Sequence, residues 1–138
     1  LDDYEEGDYD AAITCASGTI TLAGAGNRLS YTKIGRLVHI QGRLLISAIS
    51  SPTGATTVNL PFAIGNFTDT AGQANTINYG FFNGSALTDG SYQMQQEMGE
   101  GTSLIRLFVI DTFGGSSNIG DNHTAANSEL YINVQYST

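Results

Sequence analysis

Apolar and polar positions alternate with a period of two along much of this chain, and Gly, Asn, Ser and Thr punctuate the alternation. The clearest stretch is Arg28 to Ala48, RLSYTKIGRLVHIQGRLLISA. Successive strand side chains point to opposite faces, so Val38, Ile40, Gly42, Leu44 and Ile46 share one face. That face carries no polar side chain and is expected to be core. Leu37, His39, Gln41, Arg43 and Leu45 share the other, a mixture of charge, amide and leucine that suits a partly covered surface. Gly35 offers a turn between Leu29–Ile34 and Leu37–Ile49, because glycine accepts positive φ at little steric cost.

The same reading extends in both directions. Thr19–Leu22 alternates and ends in the glycine-rich segment Ala23–Asn27; Ser50-Ser51-Pro52-Thr53-Gly54 is expected to be a turn. Thr56–Leu60 is a short strand stopped by Pro61, which removes a ladder donor and restricts the residue before it. Asn75–Asn83 reads as a strand followed by the hairpin signal Asn83-Gly84, and Ser91–Met98 as a polar strand before the turn Gly99-Glu100-Gly101. Leu104–Ile110 is apolar on both faces except at Arg106, so both faces are expected to be covered. Phe113–Asn127 is the longest loop, and Glu129–Tyr136 closes the chain with Leu130, Ile132, Val134 and Tyr136 inward. No stretch has helical periodicity. About eight short strands with frequent turns predict an all-β, antiparallel, jelly-roll-like sandwich, a single domain over residues 11–138.

Charge narrows the partners. Thirteen acidic residues against five basic give a formal charge of −8, which disfavours nucleic acid and anionic membrane surfaces. Six of the acids fall within residues 1–10, expected to be a solvated lead-in from a longer parent chain. Their order lacks the ligand sequence of a calcium loop, and no metal site or cofactor is predicted. The single Cys15 has no partner for an internal disulfide and is expected to pack in the core. No run of about eighteen apolar residues and no cationic leader is present, so no membrane insertion is expected. Charged residues make up only 13% of the chain, against a usual 25% or so, and several strands are apolar on both faces. Apolar area left outside a core marks an interface, and a homo-oligomer is expected.

Catalysis finds little support. Only His39 and His123 supply imidazoles, no nucleophile elbow occurs, and the scattered carboxylates are those any domain contains. Binding of a glycan fits better, since sugar sites combine aromatic faces with amides and carboxylates. Phe113, Asp121, Asn122 and His123 in the long loop, with Phe82, Asn83 and Tyr92 near the hairpin, are the candidate ligand contacts. Leu37, His39, Gln41, Arg43 and Leu45 are the candidate subunit contacts.

Some segments also carry a resemblance. Leu1-Asp2-Asp3-Tyr4-Glu5-Glu6-Gly7 looks like the D-Y-E-E-G start of a module of bacteriophage tail fibres and tail spikes. Tyr31-Thr32-Lys33-Ile34-Gly35 with Leu37–Gly42 is similar to that module's Y-T-K-I-G signature. Leu60-Pro61-Phe62 resembles its L-P-F landmark, and Glu129–Tyr136 its closing strand. Two positions depart from the pattern: Asp8-Tyr9-Asp10-Ala11 replace Thr-Trp-Thr-Pro, and Asn59 replaces a glycine. The resemblance implies a distal, commonly trimeric β-module of the virion, extracellular, touching host-surface polysaccharide or another receptor. A trimerisation clamp without ligand, or a head-fibre or decoration module, are the alternatives. It brings no catalytic set.

Overall fold

The strand beginning at Leu37 is the spine of the molecule. The computed structural model describes residues 3–66, 78–83, 93–110, 115–119 and 123–138, with backbone alone at 78–83, 93 and 116. Among these residues the chain is all β, with nine strands and no helix: β1 (Tyr4–Asp10), β2 (Ile13–Leu22), β3 (Arg28–Ile34), β4 (Leu37–Asn59), β5 (Asn78–Asn83), β6 (Gln93–Met98), β7 (Leu104–Ile110), β8 (Ser116–Asn118) and β9 (Glu129–Ser137). Every pairing is antiparallel.

Two strands serve two sheets. The first half of β4 pairs with β3 and β9, and its second half with β2 and β7. In β5, Asn78–Gly80 pair with β6 while Phe81–Asn83 pair with β9. Sheet I therefore runs β1-β3-β4-β9-β5 and sheet II runs β2-β4-β7-β6-β5, with β8 beside the end of β7. This is the antiparallel sandwich that the alternation predicts.

The core lies between the sheets and follows the period of two. Val38, Ile40, Leu44 and Ile46 are fully buried, as are Leu130, Ile132 and Val134 of β9 to within 2%. Ile105, Leu107 and Val109 of β7 close it from sheet II, with Met94 and Met98 of β6. Each such side chain contributes about 1.5–3 kcal/mol by leaving water. Tyr136 is buried too, and its hydroxyl donates to the Phe62 carbonyl at 3.1 Å. β3 and β4 meet at a two-residue turn: Ile34 opposes Leu37, and Gly35 takes φ +57°, as a glycine at the first turn position of such a hairpin can.

Several expectations need correction. Ser50–Gly54 is not a turn but part of β4, which runs unbroken to Asn59. Its turn-type residues serve bulges instead: Ser51 has φ +41° and Gly54 +76°, and the β2–β4 register shifts between Cys15 and Ser17 and again before Thr19. Gly18, with φ +73°, likewise lies within β2. Residues 4–10 are solvated as expected, yet they form an edge strand paired with β3 along its whole length. Their carboxylates face solvent while Tyr9 packs against the core and donates to the Asn59 carbonyl at 3.1 Å. β7 is covered on one face only, since Leu104 and Arg106 are exposed and Phe108 and Ile110 half-buried. The long loop after Phe113 contains β8. Cys15 is half-buried at the margin of the core, and burial pushes its thiol pKa up.

Candidate functional site

Two surfaces concentrate chemistry, one on the outside of each sheet. On sheet I the register sets outward side chains in rows. Tyr4, Ile34, Leu37 and Ser137 form the first row, one residue from each of β1, β3, β4 and β9. Its three large apolar members are 47%, 49% and 48% exposed, so a continuous apolar stripe crosses three strands. The next rows are polar: Glu6, Thr32, His39 and Gln135, then Asp8, Ser30, Gln41 and Asn133. His39 Nε2 lies 2.9 Å from Asn133 Oδ1, tying β4 to β9. Beyond them Arg43 Nη1 donates to Glu129 Oε1 at 2.6 Å, and Tyr131, 40% exposed, donates from its hydroxyl to Glu129 Oε2 at 3.2 Å.

The five residues singled out on β4 therefore do share one outward face, with Leu45 half-buried and Leu37, Gln41 and Arg43 exposed. A shallow depression opens among them, lined by Gln41, Arg43, Tyr131 and Asn133. Of the six large apolar side chains exposed among the described residues, Tyr4, Ile34, Leu37 and Tyr131 belong to this face; Ile49 and Leu104 do not.

The candidate ligand contacts are only partly placed. Tyr92, Phe113, Asp121 and Asn122 lie outside the described residues. Phe82 and Asn83 sit at the end of β5, opposite Leu130 and Glu129 of β9. His123 is half-buried and precedes the buried Thr124.

Sheet II carries a cleft that the sequence reading did not assemble. Glu97 of β6 opposes Arg106 of β7, with Oε2 and Nη1 3.7 Å apart and both side chains about half exposed. Phe108 of β7 opposes Asn118 of β8. Together with Ser117 they line an open cleft of about 130 Å³. In the sequence Glu97 is one carboxylate among many. Its neighbours come from two further strands, and only the register of β6, β7 and β8 brings them together. Among the described residues no group of three His, Cys, Asp or Glu is placed to hold a metal ion.

No family model matches the chain, and no curated protein sequence matches it. Among solved structures it is similar to the crystal structure of the Dettilon tailspike protein, with a TM-score of 0.80 over 97% of this chain. The identity is 16%, so the likeness is one of fold, and the matched part is 24% of the tailspike chain.

Proposed function

We propose that this chain is a non-enzymatic module of a bacteriophage tail fibre or tail spike. It works on the outside of the virion, associates as a homotrimer through the outer face of sheet I, and helps attach the particle to host-surface glycan. The observation that carries the reading is the match of nearly the whole chain to one quarter of a tailspike. Fold alone does not establish function, so the mode of action rests on the surface. The stripe of Tyr4, Ile34 and Leu37 on a polar sheet is the kind of apolar area that a partner covers. The polar rows beside it, with the Arg43–Glu129 pair, supply the directional contacts that fix how copies meet.

Sedimentation of the purified chain at micromolar concentration tests this. The native chain is expected to run as a trimer. Leu37→Asp and Ile34→Asp, exposed positions where the change costs the fold little, are expected to raise the dissociation constant at least tenfold with an unchanged circular dichroism spectrum. A native chain that stays monomeric sinks the association. Adsorption of the chain to host cells separates an adhesive module from a clamp: a clamp trimerises and adsorbs to nothing.

A further inference from the structure

We propose that the cleft on the outer face of sheet II binds one neutral hexopyranose unit of a polysaccharide, between Glu97, Arg106, Phe108, Ser117 and Asn118. The proposal rests on the adhesion part of the reading above and gives it a location. A pyranose ring offers an apolar face of C–H groups and a rim of hydroxyls. Phe108, half-buried and open on the cleft side, matches the apolar face. The rim meets complementary groups: Glu97 accepts from hydroxyls, Arg106 donates to their oxygens, and the exposed Ser117 does both. A volume of about 130 Å³ is on the scale of one such ring, and the open mouth lets a polymer continue on either side.

Charge selects the class of sugar. Glu97 and Arg106 face each other at 3.7 Å and cancel, so the cleft is locally neutral. A uronic or sialic acid would meet no uncommitted cation among the lining residues, on a chain of charge −8. The pair also holds both side chains upright before the sugar arrives, which reduces the ordering that binding must supply. Among the described residues one carboxylate lines the cleft, whereas glycoside cleavage uses two, so the proposed role is to hold a sugar. The cleft lies on the outer face of sheet II, away from the proposed association face on sheet I.

The test is saturation-transfer NMR and titration calorimetry on the full chain. The probes are glucose, galactose, mannose, rhamnose and N-acetylglucosamine, with glucuronic and sialic acids as charged controls. At least one neutral sugar is expected to bind with a dissociation constant of about a millimolar, the usual range for so few contacts. Phe108→Ala is expected to weaken it at least tenfold while Phe108→Tyr keeps it. Glu97→Gln and Ser117→Ala, at the surface and mild for stability, are expected to weaken it about tenfold with the thermal midpoint unchanged. Equal affinity in native chain and variants, a preference for the acidic sugars, or no binding at all overturns the proposal. If the chain adsorbs to host cells and Phe108→Ala adsorbs equally, the adhesion reading stands and only this location falls.

Discussion

Gly18 and Gly35 both adopt positive φ, +73° and +57°, but their surroundings differ. A Cβ on Gly18 would overlap the carbonyl oxygens of Ser50 and Ser51 in the neighbouring bulge; one on Gly35 would meet nothing within 4 Å. Gly35→Ala should therefore cost only the left-handed conformation, about 1 kcal/mol, and Gly18→Ala about 2–4 kcal/mol because backbone must also move. Denaturant unfolding of the two variants gives the comparison, and equal costs would contradict the close approach. Tyr136 shows a second residue-scale effect. Burial pushes its phenol up to about 12. Burial raises Tyr9 as well, as does the nearby Tyr136. An unfolded tyrosine ionises near pH 10 or so, before the folded one, so above that pH the unfolded state holds fewer protons. This part of the stability is complete below pH 10 and is lost as pH rises towards 12. Tyr136→Phe should lose about 1 kcal/mol at neutral pH and show a shallower alkaline decline, measured as thermal midpoint against pH.

At the scale of elements, β1 separates charge from structure. Its carboxylates blunt an exposed sheet edge, while Tyr9 anchors the strand to the core. A chain beginning at Ala11 should lose roughly 2–4 kcal/mol and, with the edge of β3 bared, should aggregate on heating; light scattering during a thermal ramp reads this. The sequence marked the strands that bury one face cleanly, because period two is a direct image of burial: Val38–Ile46 and Leu130–Tyr136 came out as read except at Gly42, which is exposed. It misled where one residue type serves two ends. Ser51 and Gly54 look the same in a turn and in a bulge, and acids look the same in a tail and on a solvated edge. The five residues on the outer face of β4 were legible for the same reason as the core, being its complement. The cleft was not, since Phe108, Glu97 and Asn118 meet through register between strands, which no local pattern carries.

At the scale of the whole molecule, β4 makes the two sheets one object. It pairs with β3, β9, β2 and β7, so neither sheet is complete without it. The contacts that close the fold are distant in sequence, which favours slow, all-or-none folding. The outer faces of the sheets then take separate duties in the proposed function, association on sheet I and sugar on sheet II, and a change on one should leave the other intact.

The row that joins Tyr4, Ile34, Leu37 and Ser137 has a mechanical consequence. The first residue of β1 and the last of β9 stand three strand spacings apart, about 15 Å, at the same end of sheet I. A load drawing them apart runs across the strands and opens the ladders one bond after another from that end, like a zipper. A load along β4 would strain many bonds at once in shear. Sheet I is thus compliant to tension between Tyr4 and Ser137 and stiff along β4.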